Sequence, residues 1–170
     1  MNEQKKYEFT GEIKVVFGIN FKQIRAIINF GCVVAGEIGG WIEKEENLSQ
    51  SGDAWVSGNA WVSGDAKVSG NAKVSGDAKV SGDAWVYGDA EVKKDDDYMV
   101  IGGAGRYNRF TTFFKCRDKT IKVVCGCFFG TIIEFRAKVK ETHKGNKHEK
   151  VYLAMADMAE LQIGNDEVEK

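Results

Sequence analysis

Residues 52–93 read GDAWVS GNAWVS GDAKVS GNAKVS GDAKVS GDAWVY GDAEVK, seven six-residue units in unbroken register. A repeat of fixed period constrains the fold before any local propensity is consulted. Each unit carries Ala and Val two apart, from Ala54 and Val56 through to Ala90 and Val92. That spacing sets both on one face of a strand and sends the residue between them to the other. Gly-Asp or Gly-Asn then supplies residues that accept bent or left-handed backbone. Strands this short bury too little to stand as hairpins. The pattern therefore predicts straight sides joined by corners, three units of six residues to a turn, with parallel strands stacking about 4.8 Å apart.

The order of aliphatic and small residues resembles the hexapeptide repeat of left-handed parallel β-helices. The left hand is what the resemblance implies, since general rules favour right-handed crossovers. The expected fold class is mainly β: a left-handed parallel β-helix (hexapeptide repeat) over residues 36–97, an N-terminal cap over 1–35, and a C-terminal α+β cap over 98–170 made of a hairpin and two helices. A calcium-binding nonapeptide repeat is excluded by the period and by the single Gly in each unit.

The outward positions are Trp55, Trp61, Lys67, Lys73, Lys79, Trp85 and Glu91. Stacking three units apart places Trp55 against Lys73, Trp61 against Lys79 and Lys67 against Trp85. Trp is enriched at interface hot spots, so Trp55, Trp61 and Trp85 with Lys67, Lys73 and Lys79 are candidates for a binding or oligomer face. The plainer alternative is that these side chains only cover and solubilise the ladder.

With 24 basic and 25 acidic residues the formal charge is −1, so no global field points to nucleic acid or an anionic membrane. The opening MNEQKKYEFT lacks an apolar signal core, and no run reaches the roughly 18 apolar residues that spanning requires. The chain reads as a soluble intracellular protein with no membrane partner. In that setting its four Cys read as thiols or ligands rather than disulfides.

Residues 7–34 are rich in β-branched and aromatic residues and predict a few strands. Past Lys93 the register fails at Lys94-Asp95-Asp96-Asp97, which reads as a solvated exit turn. Tyr98–Ile101 resumes as strand, and the glycines at 102, 103 and 105 are a weak phosphate-loop signal because no Lys-Ser/Thr follows. Arg109–Lys115 and Thr120–Phe129 form a predicted hairpin about Arg117-Asp118-Lys119. Thr131-Ile132-Ile133-Glu134 is a capping box opening a helix to about Thr142, with Ile132, Ile133, Phe135 and Val139 on its apolar face. A second helix is predicted over 147–163, with Val151, Leu153, Ala154, Met158 and Leu161 inward.

Enzymes on hexapeptide β-helices rely on His projecting from the coils, whereas this chain has only His143 and His148, both outside the repeat. No catalytic residue is assigned. Cys125 and Cys127, two apart on a predicted strand and so on one side, together with His143 and His148 form the one metal or thiol constellation, zinc being the metal it would suit. Buried core cysteines and helix-end histidines are the alternative. A second cluster, Arg106, Asn108, Arg109, Thr111, Thr112 and Lys115, has the groups that hold a phosphate or nucleotide, or else forms the exposed sides of a hairpin.

GGWIEKEENLSQ ahead of the repeat, and TTFFK, CGCF and TH…KH behind it, make the whole chain resemble a mostly uncharacterised family of hexapeptide-repeat proteins of phages and prophages. The resemblance implies a phage-linked accessory protein in the cytoplasm of a bacterial host and supplies no catalytic motif. Three functions follow as expectations: a non-enzymatic module that binds a host protein, as an inhibitor of a bacterial defence system such as CRISPR–Cas would; an enzyme or nucleotide/small-ligand binder using the C-terminal domain; and a self-assembling homo-oligomer.

Overall fold

The computed structural model describes residues 4–105 and 107–164 of the chain. The chain divides into two compact units, Met1–Asp95 and Asp96–Lys170.

In the first unit, β1 (Tyr7–Val16) and β2 (Ile19–Ala26) form an antiparallel hairpin, and β3 (Ile38–Ile42) pairs antiparallel with β2. Seven two-residue strands follow, one per repeat: β4 (Trp55–Val56), β5 (Trp61–Val62), β6 (Lys67–Val68), β7 (Lys73–Val74), β8 (Lys79–Val80), β9 (Trp85–Val86) and β10 (Glu91–Val92). Pairing among them is parallel and three units apart, which sets Trp55 against Lys73, Trp61 against Lys79 and Lys67 against Trp85, the register the spacing predicts. The repeat Ala and Val side chains are all at most 1% exposed. The repeat glycines all have φ between +64° and +71°, a region where a side chain is strained, so the corners need Gly.

The expected fold class is corrected by the sheet organisation. The chain forms several small sheets, a five-stranded one in the order β1-β2-β3-β5-β8, a three-stranded one β10-β7-β4 and a two-stranded one β6-β9, not one left-handed parallel β-helix between two caps. The reason lies in strand length. The Gly-Asp/Asn corners hold each parallel ladder to two residues, while β1 and β2, ten and eight residues long and within the stretch expected to form strands, join the sheet of β3 as antiparallel strands. The acids after the repeat also differ from a solvated turn. Asp95 accepts the Lys79 N–H at 2.8 Å, and Asp97 is buried.

Lys6 ties the start of the chain to the repeat. The residue is 2% exposed, and its ammonium donates to the carbonyls of Ala54 (2.7 Å) and Gly52 (3.2 Å) and sits 4.8 Å from the centre of the Phe30 ring. Burial lowers its pKa from 10.5 to about 8, with the Asp53 charge opposing the shift. The unfolded chain therefore holds this proton to higher pH than the folded one, so stability rises with pH between about 8 and 10.5. Burial raises the Tyr7 phenol beyond its usual range, an effect that opposes the rise above pH 10. Urea denaturation at pH 7.5 and 9.5 is expected to show the more stable fold at 9.5, with Lys6→Met abolishing the difference.

The second unit is a four-stranded antiparallel sheet, β11 (Tyr98–Ala104), β12 (Arg109–Lys115), β13 (Ile121–Cys125) and β14 (Phe128–Thr131), followed by α1 (Ile132–His143) and α2 (Lys147–Ile163). The expected single hairpin is thus a meander, because Gly126 (φ +60°) and Cys127 turn the chain inside the run read as one strand. The predicted capping box is present: Thr131 Oγ1 accepts the Glu134 N–H at 3.2 Å and Glu134 Oε2 accepts the Thr131 N–H at 2.7 Å. Ile132, Phe135 and Val139 of α1 are buried as expected, but Ile133 is exposed. On α2 the buried stripe is Tyr152, Met155, Ala156, Ala159 and Ile163, while the predicted Ala154, Met158 and Leu161 face out. Small Ala and amphipathic Tyr let that face approach the sheet closely, a preference that hydrophobicity alone does not reveal. Among the described residues no helix is long and apolar enough to cross a membrane.

Candidate functional site

The second unit contains a cleft of about 700 Å³. Its floor comes from the ends of β12, β13 and β14, which bring Arg109, Cys125 and Phe128 together with Cys127 of the intervening turn. One stripe of α1 (Phe135, Lys138, Val139, Thr142 and His143) makes a wall, and Asn146, His148 and Tyr152 at the start of α2 make another.

Aromatic packing shapes this space. The Phe135 ring lies 5.5 Å from Phe128 and meets Tyr152 edge-on at 5.9 Å. Tyr152 in turn stacks on His143 at 5.4 Å and 28° between planes, and the two His rings are 5.8 Å apart. Asn146 fixes the position of His148, because its Oδ1 accepts the N–H groups of His148 (2.8 Å) and Glu149 (3.2 Å) at the start of α2.

The polar groups converge on Cys125. Thr111 Oγ1 donates to its sulfur at 3.2 Å, and the Tyr152 hydroxyl is also hydrogen-bonded to it. Burial, then the charge and hydrogen bond of Cys125, raise the Tyr152 phenol above its ordinary pKa, and the Arg109 charge opposes them. Tyr152 is therefore a neutral donor at physiological pH. The Arg109 guanidinium lies 5.0 Å from the centre of the Tyr107 ring and passes so close to Gly126 that a side chain there would collide with it. Arg109 and Lys138 supply positive charge, and no Asp or Glu is among the residues described as lining the cleft.

Five sequence candidates thus meet here: Arg109, Cys125, Cys127, His143 and His148. They do not make the expected zinc site. Cys127 lies in the turn, beyond the end of the strand that carries Cys125, and among the described residues no three His, Cys, Asp or Glu gather to hold an ion. The Arg/Asn/Thr cluster also separates. Asn108 is an exposed turn residue with φ +52°, Thr111 and Thr112 are buried in the sheet, and Lys115 at the far end of β12 is half-buried. Arg106 lies outside the described residues. Tyr107, Phe128, Phe135, Lys138, Thr142, Asn146 and Tyr152 were not among the sequence candidates. The helical spacing of Phe135, Lys138, Val139 and Thr142, and of His148 and Tyr152, is the signal that groups most of them.

The proposed tryptophan face is corrected as well. Trp55 is 3% exposed, enclosed by Phe30 at 5.4 Å and Tyr7 at 6.4 Å. Trp61 is half-buried against Phe21 at 4.7 Å. Trp85 stays 44% exposed, 6.2 Å from Tyr87, with its indole N–H donated to Ser69 Oγ. Lys67 and Lys79 are exposed, and Lys73 is half-buried with its ammonium against the Cys32 sulfur. Outward in the repeat is therefore not outward in the chain, because Tyr7 of β1, Phe21 of β2 and Phe30 beyond it cover the tryptophans of the first two repeats. No family model matches the chain, and a search of curated proteins finds no match.

Proposed function

We propose that the second unit is a binding module for a small anionic ligand with a planar apolar body, such as an aromatic carboxylate or phosphate ester. The observation that carries this reading is the charge of the cleft: an aromatic-lined concavity with Arg109 at its floor and no described carboxylate in its lining. The rings of Phe128, Phe135 and His143 suit a flat body, and Arg109 suits the anion. The test uses 8-anilinonaphthalene-1-sulfonate, an anion on a fused ring. Saturable one-to-one binding is expected by fluorescence, and Arg109→Met is expected to weaken it about 10–100-fold, the loss typical of a charge-assisted hydrogen bond. Binding that is absent, or indifferent to Arg109→Met in a folded variant, overturns the reading.

A second reading, contact with a host protein, draws its support from Trp85 and Tyr87, two exposed rings side by side. Its discriminating experiment is capture of one specific partner that is lost on Trp85→Ala.

A further inference from the structure

β1 is the outer strand of its sheet; its far end carries exposed Ile13 (60%) and Val15 (65%), and the turn that follows carries Phe17 (95%). Side chains two apart on a strand share a face, so Ile13 and Val15 lie side by side on an edge that is unpaired among the described residues. Phe17 and Gly18 make the two-residue hairpin turn with φ of +51° and +80°. The first turn position is one that Asn or Gly occupies without strain, and a bulky ring there carries a conformational cost. A strained, almost fully exposed Phe points to a use for the ring outside the hairpin.

Main-chain geometry agrees. In a two-residue hairpin the flanking pair, here Val16 and Ile19, exchanges hydrogen bonds, and pairs then alternate down the ladder. Lys14 and Phe21 are a bonded pair, so the N–H and C=O groups of Ile13 and Val15 lie on the outer edge.

We infer that this edge pairs antiparallel with the same edge of a second copy of the chain, about a two-fold axis at Ile13. The charges select that register. With Ile13 opposite its own copy, Glu12 faces Lys14 of the other chain twice over; the regular ladder ends just beyond, at the bulge between Phe9 and Ile13, where Gly11 has φ +97°. Centring the axis on Lys14 would oppose like charges.

The test is sedimentation equilibrium of the full chain over a hundredfold range of concentration. A dimer is expected, with Glu12→Lys and Lys14→Glu each weakening it about tenfold or more and the double exchange Glu12→Lys/Lys14→Glu restoring it. All these positions are exposed, so the variants retain the fold. A chain that stays monomeric throughout, or a dimer unmoved by the single exchanges, overturns the proposal. So does a double exchange that leaves the dimer as weak as the singles.

Discussion

Trp55→Ala is expected to destabilise the first unit by about 3–5 kcal/mol, while Trp85→Ala, at the same position of a later repeat, changes stability by no more than about 0.5 kcal/mol. The difference is burial. Trp55 is enclosed by Phe30 and Tyr7, and its removal empties a large volume beside Ile24 and Gly39, whereas Trp85 is 44% exposed. Trp55→Phe sharpens the test. Among the described residues the buried indole N–H of Trp55 finds no hydrogen-bond acceptor. Phe keeps most of the ring while discarding that unsatisfied donor, so it should stay within about 1 kcal/mol of the parent. Urea midpoints of the three variants read the outcome directly. A Trp55→Ala protein as stable as Trp85→Ala would mean that the enclosure by Phe30 and Tyr7 contributes nothing.

Phe135→Ala is the corresponding experiment in the second unit, with an expected loss of about 3–5 kcal/mol. Phe135 touches Phe113 edge-on at 5.7 Å, Phe128 at 5.5 Å and Tyr152 at 5.9 Å, so one truncation removes three aromatic contacts. The same ring lines the cleft, and its loss should also abolish ligand binding. Arg109→Met separates the two effects, since it removes the anion's partner and leaves this core in place. Hydrogen exchange of the α1 and α2 amides measures the first effect without reference to any ligand.

The sequence made the repeat legible because its information is redundant: seven Val and seven Ala repeat one statement about which side faces in, and the pairing three units apart follows from it. The flanks say things only once. Nothing in INFKQIRA announces that β2 will align with β3 and continue its sheet, so a stretch read as a cap is in fact paired main chain. Trp55 departs from its expected exposure for a related reason: periodicity gives the side of the ladder, not what covers that side. In the cleft, Arg109, the cysteines and the histidines were visible as chemistry-bearing residues. Their aromatic surroundings were not, since Phe128, Phe135 and Tyr152 read as ordinary core until the meander and the helices bring them together. Gly126 shows how finely this depends on the backbone, as one left-handed residue moved Cys127 out of the strand and with it the expected metal site.

The division into two units has a practical side. All four Trp, at 41, 55, 61 and 85, belong to Met1–Asp95, and both α-helices belong to Asp96–Lys170. Indole emission therefore watches one half, and ellipticity at the helical band watches the other. Two melting curves recorded on one sample will show whether the halves come apart together or in sequence.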